Sequence, residues 1–282
     1  AGYDCWLLDH RASIELPYAR AQYSADDLAA NDYAPAIGVI RTVTGMNDVQ
    51  VIAHCYGAMT FTMAMLDGLE AVRSVVISQI AAHAQVPFFP QRMLAFLRAP
   101  DAMRLVGMDR LDARASAHRD LMEKIIDGAL AFYPYNPGDR SRSATSRRIS
   151  AIYGQLYELD QLNQATFEAL PEMFGEACIS AYLHLGHIAR AGHIVRADAT
   201  DDYLTDANLR RFNVPTLFVH GDKNQAFQPD GTAATRAALA AVNGAELYDR
   251  VVIPETGHID CIFGKNAAET VYPHILRHLE RT

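Results

Sequence analysis

The 282-residue chain lacks most of the features that mark specialised classes of protein. Its four cysteines, at positions 5, 55, 178 and 261, are scattered with no Cys-x-x-Cys spacing, which argues against a disulfide framework and against a zinc site. No run of eighteen apolar residues occurs, so no membrane-spanning segment is expected. There is no excess of basic residues, because the net charge is −8, and this argues against a general nucleic-acid binder.

The N-terminus also lacks an initiator methionine and a signal-like region. Residues typical of a buried strand begin almost at once, at positions 3–8, and a mature protein rarely opens in a central strand. We therefore expect a longer parent chain whose preceding strands are missing from this one. The expected compartment is the cytoplasm.

Half of the residues are hydrophobic and about a fifth are charged, as in globular proteins with a sizeable core. Short apolar runs alternate with helical patterns, which predicts an α/β fold with a doubly wound, mostly parallel sheet. The predicted strands include residues 3–8, 49–52, 75–77, 214–221 and 247–253. The predicted helices of this core include residues 58–69, 231–242 and 266–279.

Residues 49–59 read Val-Gln-Val-Ile-Ala-His-Cys-Tyr-Gly-Ala-Met, a pattern typical of a strand, a sharp turn and a helix. The turn matches a nucleophile elbow in which Cys55 replaces the usual serine. Small neighbours such as Ala53, Gly57 and Ala58 are expected because a strained turn leaves little room for Cβ atoms. A thiolate is a strong nucleophile once its pKa is lowered. Alternatively, Cys55 is a small buried hydrophobe at the end of a strand.

Between residues 87 and 206 the strand-like runs disappear and helical patterns replace them, at 93–97, 121–132, 149–159 and 164–174. The segment is too long for a crossover loop, so we expect core residues 1–86 and 207–282 with a helical cap insertion at 87–206. Aromatic residues are frequent in the insertion. They include Phe88, Phe89, Phe132, Tyr133, Tyr135, Tyr153, Tyr157, Phe167 and Phe174. A lid of this kind favours a hydrophobic substrate, although most of these rings are expected to form the core of the insertion itself.

His184 and His187 have the i, i+3 spacing of a helical metal site. No carboxylate or cysteine partner lies within sequence reach, so we expect no metal there.

The chain order of elbow, helical insertion, strand ending in His-Gly and final Gly-His resembles the α/β-hydrolase superfamily. The Gly-His-Ile-Asp segment at 257–260 is similar to the signature of its acid-lipase-like branch. The likeness is greatest to the hydrolase-like module attached C-terminally to cholesterol-oxidase-like flavoproteins of the glucose-methanol-choline type. Those modules share the Ala-His-Cys-Tyr-Gly-Ala elbow and the Ser-Gln-Ile-Ala run at 78–81. This resemblance implies a fused or docked flavoprotein partner. No Gly-x-Gly-x-x-Gly motif follows an N-terminal strand here, so this chain is not expected to hold FAD or another cofactor.

The resemblance also implies a triad in the order nucleophile, acid, histidine, with Cys55 first and His258 last. The position of the acid holds Asn224, which can orient an imidazole by accepting from its N–H but cannot stabilise imidazolium by charge. Asp222, two residues earlier, remains an alternative. Asp260 is expected to anchor the histidine loop.

The sequence therefore predicts a hydrolase that acts on an ester or thioester of a hydrophobic acyl compound. Cys55 would attack the carbonyl carbon, His258 would carry the proton, and the backbone N–H of Tyr56 would stabilise the oxyanion. The alternative is a non-catalytic module that binds a lipid or docks to a flavoprotein.

Overall fold

The structure is a computed structural model that describes residues 2–17, 21–87, 99–105, 107–114, 124, 127–128 and 143–282. Its strands are β1 (Val49–His54), β2 (Val72–Ser78), β3 (Arg110–Asp112), β4 (Glu176–Cys178), β5 (Thr216–Gly221) and β6 (Tyr248–Ile253). Its helices are α1 (Ala25–Asn31), α2 (Tyr33–Thr44), α3 (Cys55–Leu66), α4 (Ala99–Leu105), α5 (Ala144–Tyr153), α6 (Gln164–Met173), α7 (Ile179–Ala191), α8 (Asp206–Leu209), α9 (Asp230–Asn243), α10 (Asp260–Phe263), α11 (Ala267–Thr270) and α12 (Tyr272–Arg281).

Four of the strands form one parallel sheet in the order β1-β2-β5-β6. Its two faces are covered by different hydrophobic clusters. Val75 and Ile77 of β2 belong to the larger cluster with α3, whereas Val76 packs with Ile275 of α12 on the other face. Alternate residues of one strand are therefore buried on both sides, which confirms the predicted doubly wound α/β fold.

Local signals in the sequence account for several helix boundaries. Ser24 caps α1 and forms a reciprocal capping box with Asp27. Gly45 ends α2 with a left-handed φ of 75°. Pro273 lies in the first turn of α12, where its missing N–H costs little, and the predicted helix 266–279 is accordingly divided into α11 and α12.

Two predicted elements differ from the structure. Residues 3–8, predicted to be a strand, pair with no strand of the described part of the sheet. They are not buried in the core either, since Leu7 is 99% exposed. The predicted helix 149–159 is α5, which begins earlier and ends before Gly154, a glycine with a φ of 86°.

The expectation that strands are absent from residues 87–206 is wrong, because β3 and β4 form an antiparallel pair. The predicted helix 164–174 is confirmed as α6. The predicted helices 93–97 and 121–132 lie wholly or largely outside the described residues. No helix among the described residues is long and apolar enough to cross a lipid bilayer.

Candidate active site

The predicted site residues all follow the carboxyl ends of strands in the parallel sheet. Cys55 follows β1, Asn224 follows β5 and His258 follows β6. Parallel strands place these ends at one edge, so side chains far apart in sequence meet there. Gln79 follows β2 at the same edge.

Cys55 lies at the junction of β1 and α3 with a φ of 55°, in the left-handed region that residues with a Cβ rarely adopt. Such strain is typical of functional sites when the surrounding structure imposes it. The strand holds the turn on one side and the buried first turns of α3 hold it on the other. This backbone is the predicted elbow, and it projects the side chain of residue 55 from the sheet edge.

The thiol of Cys55 is a weak acid in this setting. Burial raises its pKa to about 11, while the backbone N–H of Tyr56 acts in the opposite direction. The same N–H lies at the start of α3, where helical amides lack partners within the helix. The thiol is therefore protonated near neutral pH, and only a base would convert it to the reactive thiolate.

Gly57 does not have the steric role that the sequence suggests. A Cβ built on Gly57 would meet no heavy atom within 4 Å, leaving its chain neighbours and the local helix backbone aside. Ala53 and Ala58 are buried, so the close packing lies at those two positions. The space beside Gly57 is open.

His258 is completely buried, and its ring lies against two other rings of the site. The centroid of His54 is 5.2 Å away and that of Phe227 is 5.8 Å away. Burial lowers the pKa of His258 well below its ordinary value, and His54 and His220 lower it further. His258 is therefore neutral near neutral pH.

The structure separates the two candidates for the orienting residue. Asn224 is buried, and its Nδ2 lies 3.0 Å from Nδ1 of His258. Asp222 is exposed and accepts a hydrogen bond from the backbone N–H of Thr256 at 3.3 Å. Asn224 thus contacts the imidazole, whereas Asp222 binds the backbone of the loop that precedes His258.

The hydrogen bond between Asn224 and His258 runs opposite to the expected direction. We expected the Asn224 oxygen to accept from an imidazole N–H, but that oxygen accepts from the backbone N–H groups of Ala226 and Phe227, both at 3.0 Å. The amide nitrogen faces His258 instead. The loop after β5 turns tightly around the carboxamide, and no sequence pattern reports which end of the amide such a turn will bind.

Asp260 anchors the histidine loop, as predicted. Its Oδ2 accepts from the backbone N–H of Gly257 at 2.8 Å and from that of Glu158 at 3.0 Å. The neighbouring backbone N–H of Ile259 donates to the carbonyl of Leu156 at 2.7 Å. The loop that carries His258 is therefore tied to the segment that follows α5.

Aromatic side chains between residues 153 and 174 pack against two loops of the site. Tyr153, Phe167 and Phe174 pack in a cluster that includes Ala226 and Ile259 of the two functional loops. Burial raises the pKa of Tyr153 and of Tyr182, and the charge of an ionised Cys55 is a smaller cause for both. The thiolate charge of Cys55 would therefore act on both phenols. The hydrophobic cluster of the aromatic residues also includes residues from the loops of Asn224 and His258.

His184 and His187 are engaged by the backbone. Nδ1 of His184 accepts from the N–H of Ala25 at 3.1 Å, and its Nε2 donates to the carbonyl of Val195 at 2.7 Å. Nδ1 of His187 lies 3.1 Å from the carbonyl of Ala197. Both nitrogens of His184 are thus occupied, and this ring serves to join α7 to its surroundings.

Three further site residues carry no role in the sequence argument. Gln79 has a left-handed φ of 77° and accepts a hydrogen bond from Asn224. The ring of His54 is tilted by 55° against that of His258, and His220 lies 3.2 Å from the Asn224 amide. Gln79 and His220 each stand at the end of a predicted strand, and this position was the available signal. The described residues show no hydrogen bond between the thiol of Cys55 and His258, whose Nε2 is buried without a partner.

Comparison with known proteins identifies the family of the chain. The model of the α/β hydrolase family matches residues 1–271. The chain belongs to the α/β hydrolase family. Family membership supports the prediction that the protein is a hydrolase. A search of curated proteins finds no match.

Solved structures of other α/β proteins share the fold at low sequence identity. The protein BpoC of Mycobacterium tuberculosis H37Rv, classed as a non-heme bromoperoxidase, is 14% identical with a TM-score of 0.54, and the match covers 97% of this chain and 80% of BpoC. A monoacylglycerol lipase of Paleococcus ferrophilus is 12% identical with a TM-score of 0.50, and the match covers 92% of this chain and 77% of the lipase. At these identities the likeness concerns the fold alone.

Proposed function

We propose that this α/β hydrolase cleaves an ester or thioester of a hydrophobic acyl compound through Cys55 and His258, with Asn224 as the residue that positions the histidine. The observation that carries this proposal is the left-handed backbone of Cys55 at the junction of β1 and α3. A left-handed residue between a strand and a helix is typical of a nucleophile elbow, in which the backbone N–H of the following residue, here Tyr56, contributes to the oxyanion hole.

In the reaction, the sulfur of Cys55 forms a bond to the acyl carbon while Nε2 of His258, in the tautomer that carries its proton on Nδ1, takes the thiol proton. The N–H of Tyr56 donates to the oxyanion. The same proton then moves from His258 to the departing alcohol or thiol, whose bond to the acyl carbon breaks. His258 then takes a proton from water, whose oxygen bonds to the acyl carbon; the bond from that carbon to the sulfur of Cys55 breaks, the sulfur takes the proton back from His258, and the acid is released.

A hydrophobic acyl group is supported by the aromatic cluster of Tyr153, Phe167 and Phe174, which packs against both functional loops. The Gly-His-Ile-Asp segment at 257–260 favours an acid-lipase-like relative. All four cysteines are free, which agrees with a reducing compartment such as the cytoplasm.

A second candidate is a non-catalytic module that binds a lipid or docks to a cholesterol-oxidase-like flavoprotein. Two observations favour it. The pKa of the Cys55 thiol is raised to about 11, and the orienting residue is an amide rather than a carboxylate. Both reduce the reactivity expected of a triad.

The deciding experiment is acylation by an activated thioester of a medium-chain fatty acid, followed by intact-protein mass spectrometry. The hydrolase proposal expects one acyl group per chain and turnover of the thioester, with both lost in Cys55→Ala. Cys5→Ala is the matched control, because Cys5 is exposed and far from the sheet edge in sequence. Undiminished turnover by Cys55→Ala would overturn the assignment of the nucleophile, and absence of any adduct on the native protein would favour the binding module.

A further inference from the structure

The carboxamide of Asn224 can take only one orientation. Its oxygen accepts from the backbone N–H groups of Ala226 and Phe227, each at 3.0 Å. A backbone N–H can donate but cannot accept, so the atom that faces these two groups must be the oxygen. A flipped amide would set its own NH2 group against two donors.

The other end of the amide is determined independently. Nδ2 of Asn224 lies 2.8 Å from Oε1 of Gln79. That atom must be an oxygen as well, because it accepts from the backbone N–H of Gly221 at 3.2 Å. Hydrogen bonds at both ends therefore require the NH2 group of Asn224 to face away from the loop and into the site.

The second hydrogen of this NH2 group has two nitrogen acceptors within reach. Nε2 of His220 is 3.2 Å away, but it also lies 3.0 Å from the carbonyl of Phe227. A carbonyl can only accept, so Nε2 of His220 carries a proton and cannot accept from Asn224. Two acceptors remain, Nδ1 of His258 at 3.0 Å and the backbone carbonyl of Gln79 at 3.4 Å, and the shorter contact is with His258.

A ring nitrogen that accepts a hydrogen bond has no proton, so neutral His258 carries its proton on Nε2. Imidazolium would place an Nδ1–H against the NH2 group of Asn224. Burial, with the neighbouring His54 of β1 and His220 of β5, also lowers the pKa of His258. Its Nε2 is buried and has no hydrogen-bond partner among the described residues. A buried donor without a partner is costly, and a ligand oxygen would relieve that cost.

We propose that Asn224 holds His258 in the tautomer protonated on Nε2, so that the resting site offers a hydrogen-bond donor to the carbonyl oxygen of a neutral hydrophobic ligand. Acyl transfer requires the opposite state, in which Nε2 is a base. This inference rests on the proposed function of the same site. A neutral carbonyl is the matching ligand, because a carboxylate would favour a second proton on His258, at the nitrogen to which Asn224 already donates. Hydrolysis is accordingly slow until Nδ1 acquires the proton and Nε2 becomes free to accept.

The tautomer can be measured directly. In protein labelled with ¹⁵N-histidine, His258 should show a protonated Nε2 and an unprotonated Nδ1 near neutral pH, and His258→Gln identifies its signals among the eleven histidines. Methyl undecyl ketone should shift the Nε2 signal, whereas dodecanoate at the same concentration should not. A protonated Nδ1 in the native protein would overturn the tautomer assignment, and a response to dodecanoate alone would overturn the ligand class.

Asn224→Asp tests the role of the amide. A carboxylate oxygen in place of the NH2 group would accept from Nδ1–H and free Nε2 as a base. A wrong tautomer costs about 10⁴ in kcat in a serine triad, and a thiol depends less on its base, so we expect Cys55 acylation to become about 10 to 100 times faster. The alkylation of Cys55 by iodoacetamide should also begin at a lower pH. Asn163→Asp is the matched control, because Asn163 caps α6 through its side-chain oxygen and aspartate caps equally well.

Asn224→Ala is the second variant, because an aspartate at this position would also face Oε1 of Gln79. Loss of the donor should raise the share of the Nδ1–H tautomer without adding charge. If both variants fold and neither changes the tautomer or the pH at which alkylation begins, Asn224 does not position His258. Cys55→Ala tests the proposed function separately, because its turnover can be normal or lost whatever the tautomer of His258.

Discussion

The nucleophile side and the histidine side of the site are fixed by different kinds of contact. On the nucleophile side, the backbone of β1 and α3 sets the position of Cys55, and its φ of 55° is imposed by the turn between them. On the histidine side, His258 is held by the side chain of Asn224, which is held in turn by Gln79 and by the loop after β5. Backbone geometry defines the first side and hydrogen-bond direction defines the second.

This difference explains how the site can look catalytic and still be poorly equipped for proton transfer. The elbow needs only small residues, a strand and a helix, and it survives replacement of serine by cysteine. The proposed proton transfer through His258 depends on one atom of Asn224, where a change from oxygen to nitrogen reverses a hydrogen bond without moving the backbone. Each of the variants below changes one of these sides and leaves the other intact.

Cys55→Ser has the largest expected effect, because it keeps the elbow and increases the demand on His258. A hydroxyl is less acidic than a thiol and depends more on a base, so turnover of an activated thioester should fall by on the order of 10³-fold or more. In an Asn224→Asp background the same substitution should cost about tenfold less, since Nε2 can then accept. Steady-state kinetics of the four proteins gives the coupling. Strict additivity would show that the two sides act independently.

Gly221→Ala disturbs the histidine side through the backbone. A Cβ on Gly221 would lie 2.2 Å from the carbonyl oxygen of Thr256 and 2.6 Å from that of Gly257. Both atoms belong to the loop that leads to His258, so the loop must move. We expect the free energy of unfolding to fall by about 3 kcal/mol, measured by urea denaturation. A stability equal to that of the native protein would mean that the loop yields easily.

The sequence predicted the nucleophile side better than the histidine side for a physical reason. The local sequence around Cys55, an apolar run before it and a helical pattern after it, favours the strand and the helix that the structure contains. The pairing of Asn224 with His258 follows from strand order, which the family resemblance supplied. Its direction depends on Gln79 and on the amides of residues 226 and 227, contacts that exist only in the folded chain.

The same reasoning covers the errors in the fold. Residues 3–8 have the composition of a strand, yet a strand forms only where a neighbouring chain segment completes its hydrogen bonds. The antiparallel pair of β3 and β4 joins segments more than sixty residues apart, and three residues per strand are too few to produce a pattern. Capping residues such as Ser24 and Gly45, in contrast, fix helix ends through local contacts.

His220 allows a test of charge on the histidine side. Burial, with a smaller contribution from the charge of Arg250, lowers its pKa to about 4. Below about pH 6.5, His220 therefore binds a proton in the unfolded chain but stays neutral in the folded chain, and the free energy of unfolding decreases as the pH falls. Near pH 5 this loss is about 2 kcal/mol. The free energy of unfolding can be measured with urea at neutral pH and near pH 5. His220→Gln should reduce the difference between the two values by that amount, whereas His274→Gln on α12 should leave the difference unchanged. An equal pH dependence in the native protein and His220→Gln would refute this account.

Gly57→Ala has the smallest expected effect and tests the other side of the site. Gly57 lies in the first turn of α3 with an ordinary φ, and an added Cβ would meet no heavy atom within 4 Å. Alanine is favoured over glycine within a helix by about 0.5 to 1 kcal/mol, so the variant should be as stable as the native protein or slightly more so. Calorimetry would measure the stability, with Gly221→Ala as the contrasting glycine. If the variant is stable but the acylation of Cys55 slows, the open space beside Gly57 is part of the ligand pocket. If Gly57→Ala is destabilised, the elbow is packed more tightly than the structure indicates. The contrast between open space at Gly57 and close packing at Gly221 would then be wrong.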